Sequence, residues 1–253
     1  MAAAKSDRSL ASRLWYVYMR YFCRLIALAL YRVRVAGHEQ VPVVGGALVV
    51  SNHQCFLDPV LVGICFRRRM NFLARDTLFS FSPLGRLIAS LDAIPIDRDG
   101  SGLSGLKETL RRLKRGELVL IFPEGTRSFD GHLLPLKPGF TTVARRSDVP
   151  IVPVAIDGGF EAWPRSRLMP WFAPVQIEIG RPITPAEMQA FDERELVEEV
   201  ACRMAECFAR ARAARERRCK PRPGVMVDAR QTADQNSTEN TPIGSSGASG
   251  CTS

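Results

Sequence analysis

His53 and Asp58 stand five residues apart in Ser51-Asn52-His53-Gln54-Cys55-Phe56-Leu57-Asp58-Pro59, and they are the pair best suited to move a proton. On a regular helix that separation turns about 140° around the axis, so the two would not face each other. They meet if His53 lies in a loop and Asp58 stands just before a helix that Pro59 opens at its first position, where Asp58 also caps the helix. A carboxylate on one imidazole nitrogen fixes the tautomer and raises the basicity of the other. The pair then forms a general base with no serine nucleophile of its own. The plainer alternative is a helix-capping Asp58 and a surface His53. Cys55, inside the same stretch, reads either as a thiol nucleophile or as a small buried apolar residue.

These residues need a scaffold, and the chain supplies a regular one. Apolar runs suited to buried strands are Ala47–Ser51, Met70–Ala74, Ala93–Ile96, Leu118–Phe122, Ile151–Ile156 and Val175–Ile179, with Val33–Ala36 a weaker seventh. Helical patterns lie at Pro59–Arg67, Pro83–Leu91, Leu103–Lys114 and Gly139–Arg146. A last one, about Glu195 to Arg217, repeats apolar residues at Leu196, Val200, Met204 and Phe208. The alternation predicts an α/β fold with a mostly parallel central sheet flanked by helices. A second polar cluster, Phe122-Pro123-Glu124-Gly125-Thr126-Arg127-Ser128, follows the Leu118 strand as the His53 cluster follows the Ala47 strand. Ligands of open α/β sheets bind outside the carboxyl ends of strands, so both clusters occupy functional positions.

Residues 33–220 are read as one domain, residues 1–32 as an N-terminal helical segment, and residues 221–253 as a disordered tail rich in Pro, Gly, Ser, Thr and Asn. In the first segment Arg13, Arg20 and Arg24 share one helical stripe, and Trp15, Tyr18, Phe22, Ile26 and Leu30 lie on or border the opposite side. That is the composition of an amphipathic helix lying in a membrane interface, or of a helix packed on the domain. The uncharged run Leu25–Tyr31 is far shorter than the roughly 20 residues a spanning helix needs. A signal peptide fits poorly, because Arg32 and Arg34 occupy the place of a small neutral cleavage region.

The formal net charge of +9 favours an anionic partner: nucleic acid, lipid headgroups or a phosphorylated substrate. Seven basic residues and one acidic residue fall within the first 34 positions. No stacking or recognition motif accompanies the charge, which argues against nucleic acid. Seven cysteines without a CxxC pair, beside three histidines, indicate reduced thiols and no structural metal site. Gly100-Ser101-Gly102-Leu103-Ser104-Gly105 is a literal G-x-G-x-x-G, with Glu124 nineteen residues later, so an NAD-binding oxidoreductase is an alternative. Against it, Asp97, Arg98 and Asp99 separate strand from glycine, and Asp99 would set a carboxylate beside the pyrophosphate.

Four blocks together resemble the glycerolipid acyltransferases of the 1-acyl-sn-glycerol-3-phosphate type. They are Asn52-His53 with Asp58 as a His-x4-Asp motif, Ile94-Pro95-Ile96-Asp97-Arg98, the Phe122–Ser128 motif, and Val149-Pro150-Ile151-Val152-Pro153-Val154. The resemblance implies transfer of an acyl group from acyl-CoA or acyl-carrier protein to the 2-hydroxyl of lysophosphatidic acid, or to another lyso-lipid. His53 and Asp58 would then be catalytic. Arg127 would hold the acceptor phosphate with a planar fork, and Gly125 and Thr126 would offer an anion-binding turn. Glu124, Arg98 and Lys137 complete the expected substrate site. Transfer is expected to be direct, with no metal or bound cofactor. The expected setting is the cytoplasmic face of a membrane carrying anionic lipids, held peripherally or monotopically.

Overall fold

Parallel strands buried on both faces need helices on both sides, and the computed structural model, which describes residues 9–80, 82–96 and 103–219, has that layering. In chain order the elements are α1 (Leu10–Tyr31), β1 (Arg34–Ala36), β2 (Ala47–Ser51), α2 (Asp58–Cys65), β3 (Met70–Arg75), α3 (Thr77–Ser80), α4 (Ser82–Ser90) and β4 (Ala93–Ile96). Then follow α5 (Leu103–Lys114), β5 (Leu118–Ile121), α6 (Gly139–Ser147), β6 (Ile151–Asp157), α7 (Gly159–Ala162), β7 (Gln176–Ile179), α8 (Pro185–Met188) and α9 (Glu193–Cys219). The seven-stranded sheet has the order β1-β7-β6-β2-β5-β3-β4. Every neighbouring pair is parallel except β6 with β7.

Alternate residues of the central strands feed two apolar layers. Val49, Leu118, Leu120, Val152 and Val154 pack with Leu61, Val62 and Ile64 of α2 and with Ala27 and Tyr31 of α1. Leu48, Val50, Val119 and Ile151 pack with Leu113 of α5, Phe140 and Val143 of α6, and Leu196, Val200 and Met204 of α9. The buried Asp157 at the end of β6 pairs with Arg212 and Arg215, which fastens α9.

The N-terminal segment is part of this packing. Tyr16, Ala27 and Tyr31 of α1 are buried, the Met70 amide donates to the Tyr16 hydroxyl at 3.0 Å, and Arg20 donates to the carbonyls of Phe66 and Arg67. One arginine of the expected basic stripe is therefore turned into the protein, where it satisfies carbonyls just past the end of α2. The side left outward is apolar: Leu14, Trp15, Tyr18, Phe22, Leu25 and Leu28 are all exposed. Among the described residues no helix is long and apolar enough to cross a membrane. Arg98, the first three positions of the G-x-G-x-x-G stretch, and the tail 221–253 lie outside the described residues.

Candidate active site

The register of the sheet puts the two polar clusters side by side. Val50 of β2 pairs with Ile121 of β5, and Ser51 pairs with Val154 of β6, so the loops after all three strands open at one edge. Asn52 carries the β2–β6 association beyond the last strand residue. Its side-chain amide donates to the Ile156 carbonyl at 2.9 Å and accepts from the Ile156 amide at 2.7 Å, which imitates a backbone pairing. Gln54 does the same for the loops: it donates to the Gly131 carbonyl at 2.7 Å and accepts from the amides of Gly159 and Phe160 at 3.0 and 3.3 Å. Both are buried, so these bonds fix the loop against rearrangement.

His53 and Asp58 meet. His53 Nδ1 lies 2.7 Å from Asp58 Oδ2, and Asp58 is fully buried. The same oxygen accepts the backbone amides of Gln54 at 2.6 Å and Cys55 at 2.7 Å. The expected helix cap is corrected here. Leu57 is the N-cap, Asp58 is the first residue of α2 and Pro59 the second, and the carboxylate folds back onto the preceding loop. With Nδ1–H directed at Asp58, the lone pair rests on Nε2, the nitrogen a base needs. The imidazole stacks on Phe122 with ring centres 4.2 Å apart. The apolar ring limits its rotation.

The second loop grips the same histidine by its backbone. The Ser128 amide donates to the His53 carbonyl at 2.7 Å, and the His53 amide donates to Glu124 Oε2 at 3.4 Å. The other Glu124 oxygen accepts from the Leu134 amide at 3.4 Å. Burial pushes the Glu124 carboxyl up to about 8, so near neutral pH it is mostly uncharged. The carboxyl group then adds little negative charge beside the cations of this loop, Arg127 and Lys137.

Arg127 lies over the Phe56 ring, its guanidinium carbon 3.6 Å from the ring centre, and Phe56 in turn leans on Trp163. Its Nη1 is buried and has no hydrogen-bond partner. Burial, and then the nearby Arg165, hold the Arg127 pKa below its ordinary value. A cation lacking a partner in such surroundings gains from any anion that reaches it. Gly125 has a positive φ of 72°, and its amide closes a turn onto the Phe122 carbonyl, so that amide is already engaged. What glycine provides is room: a Cβ there would lie 2.9 Å from Lys137 Nζ. Lys137, whose amide donates to the Pro123 carbonyl, thereby brings its ammonium over the turn, and Thr126 is exposed beside it.

Sequence reasoning overlooked Asn52 and Gln54 as locking groups, and Gly159. A Cβ at Gly159 would lie 3.0 Å from Asp58 Oδ1 and 3.1 Å from Gln54 Oε1. The paired glycines that end β6 were the available signal for a close approach. Among the described residues no group of His, Cys, Asp and Glu is arranged to hold a metal.

A family model described as Acyltransferase matches residues 32–157, the stretch that contains both loops. A 1-acyl-sn-glycerol-3-phosphate acyltransferase of Bacillus subtilis is 29% identical over 64% of this chain and 79% of its own length. One from Pseudomonas aeruginosa is 29% identical over 84% of this chain and 82% of its own. The crystal structure of the 1-acyl-sn-glycerophosphate acyltransferase PlsC from Thermotoga maritima superposes with a TM-score of 0.68 at 27% identity, covering 86% of this chain and 85% of that one. With a His–Asp pair at the end of β2 and a basic loop at the end of β5, the chain belongs to the glycerolipid acyltransferase family.

Proposed function

We propose that the protein transfers a fatty acyl group from a thioester, acyl-CoA or acyl-carrier protein, to the 2-hydroxyl of 1-acyl-sn-glycerol 3-phosphate, yielding phosphatidic acid. The observation that carries this reading is the unpartnered, buried Nη1 of Arg127 on the loop that also clamps the His53 backbone. An acceptor whose phosphate rests on Arg127 and Lys137 presents its hydroxyl to His53. Nε2 takes the hydroxyl proton as the oxygen attacks the thioester carbonyl, and collapse of the tetrahedral adduct expels the thiolate. The imidazolium then returns the proton to that thiolate. Thiols ionise near pH 8.5, so the leaving group needs no strong acid, and the proposed chemistry calls for no bound cofactor.

Incubating the purified protein with lysophosphatidic acid and labelled acyl-CoA tests the assignment, with labelled phosphatidic acid expected. Labelling of a lyso-lipid that has no terminal phosphate, in preference, would reassign the acceptor.

Cys55 takes no covalent part in this scheme. Its Sγ is buried, donates to Asp58 Oδ1 at 3.0 Å, and is held well above the usual thiol range by burial and then by the Asp58 charge. A thiol held that firmly as a donor is a poor nucleophile. Cys55→Ala should keep turnover within about tenfold, the cost of one donor lost from Asp58. An acyl label trapped on Cys55, with turnover abolished in the alanine variant, would establish a two-step mechanism.

The reaction is further proposed to run at an anionic membrane surface, with the outward face of α1 in the interface. Truncating the segment would strip Tyr16, Ala27 and Tyr31 from the core, so surface substitutions make the cleaner test. Tyr18→Ser, Phe22→Ser and Leu25→Ser combined should lower partition onto anionic vesicles about tenfold or more, from lost apolar burial. Unchanged flotation with those vesicles would place the lipid contact elsewhere.

A further inference from the structure

Among the described residues outside α1, a concentrated apolar exposure lies in residues 164–173, between α7 and β7. Leu168 is 90% exposed, Met169 68%, Trp171 65% and Phe172 67%. This is a held loop. The Trp171 amide donates to the Ala162 carbonyl at 2.7 Å, the Trp163 indole to the Arg167 carbonyl at 3.0 Å, and the Arg167 amide to the Pro164 carbonyl at 3.1 Å. Ala173, its last residue, and Val175 just beyond it turn inward. Four large apolar side chains kept outward by a fixed backbone make a patch that water disfavours.

The loop's surroundings say what covers it. Arg165 and Arg167 are exposed among the apolar side chains, and Arg165 lies over Phe129, itself 66% exposed and two residues after Arg127. Trp, Phe and Leu interleaved with arginine suit the boundary between acyl chains and anionic headgroups. The loop is also continuous with both neighbouring features. Trp163 at its start supports Phe56 beneath Arg127, and Val175 at its end donates to the Tyr31 carbonyl at the end of α1.

We infer that residues 164–173 insert into the lipid leaflet as a second membrane contact, seated between α1 and the phosphate loop, so that a lyso-lipid reaches Arg127 directly from the leaflet. The inference rests on the acyltransferase reading for the identity of the lipid, and on α1 only for the neighbouring contact. The headgroup phosphate would pass between the loop's arginines while its acyl chain stays in the apolar layer.

Single-tryptophan forms of the full chain separate the possibilities, since there are only Trp15, Trp163 and Trp171. Trp15→Phe with Trp163→Phe leaves Trp171; Trp163→Phe with Trp171→Phe leaves Trp15. With phosphatidylglycerol–phosphatidylcholine vesicles carrying brominated acyl chains, Trp171 emission is expected to shift blue and to be quenched. In the Leu168→Ser, Met169→Ser, Trp171→Ser, Phe172→Ser chain, vesicle partition should fall at least about tenfold, while kcat on a soluble short-chain acceptor stays within about twofold. Quenching of Trp15 with Trp171 unaffected would overturn the loop contact and leave the α1 reading standing. Quenching of neither would remove both. Unchanged partition, with turnover lost only when acyl-carrier protein is the donor, would make the loop a protein-docking surface instead. Failure of the soluble-acceptor assay in the unsubstituted protein would count against the acyltransferase reading alone.

Discussion

Replacing His53 by alanine is expected to lower kcat by about 10²–10⁴-fold with the fold retained. The size follows from losing the one group placed to take a proton from the acceptor. Retention of the fold follows from how the loop is held. Asn52 and Gln54 fix it through five hydrogen bonds to neighbouring loops and strands, and none of them involves the imidazole. Asp58→Asn removes the oxygen that orients Nδ1 and is expected to lower kcat as well, less severely. It should also lower Tm, because the Gln54 and Cys55 amides and the Cys55 thiol all lean on that buried carboxylate. Each buried donor left without an acceptor costs about 1–3 kcal/mol. Circular dichroism and kcat measured on both variants check this, and full activity in a folded His53→Ala chain would end the mechanism.

Arg127→Ala is expected to raise the acceptor KM by about 10–100-fold, because a charge-assisted hydrogen bond contributes about 1.5–3 kcal/mol. Arg127→Lys keeps the charge but loses the planar fork and its contact over Phe56, so it should recover only part of that affinity. The thioester KM should barely change in either variant. A defect confined to the thioester would assign Arg127 to the donor. Acceptor binding should also weaken as pH rises through about 8, where the Glu124 carboxyl loses its proton and sets a negative charge near the phosphate. In Glu124→Gln that alkaline loss should vanish. Steady-state kinetics in both substrates between pH 6 and 9 (roughly one unit past Glu124) tests all of this.

Much of the fold was legible because doubly buried parallel strands read as plain apolar runs. β2, β4 and α5 have the bounds the sequence suggests, and β5 ends one residue earlier. Less visible were α7 and α8, four residues each, which form too little of a helical period to register. β7, antiparallel to β6, reads like the parallel strands of the sheet, since its four residues are all buried too. In the site, residue types and spacing pointed to His53 and Asp58, but the choice between a helix cap and a folded-back carboxylate depends on a backbone path that spacing does not encode. The state of Glu124 follows from burial, which a strand-end loop sequence does not reveal. For α1 the inward turn of Arg20 was hidden because aromatic and apolar residues surround the helix, so periodicity could not say which face meets the protein.

The double grip of the β5 loop on the His53 backbone ties the proposed base and the proposed phosphate cradle into a single gauge. In the proposed reaction, the distance between the nitrogen that takes the proton and the guanidinium that holds the anion is set by the Ser128–His53 main-chain hydrogen bond and by the buried Glu124 carboxyl that accepts from the His53 amide. Regiochemistry is then a matter of length: an acceptor is competent when its free hydroxyl and its phosphate span the gauge. A hydroxyl attached one carbon nearer or farther along the glycerol arrives off the axis of Nε2, however tightly its phosphate is bound.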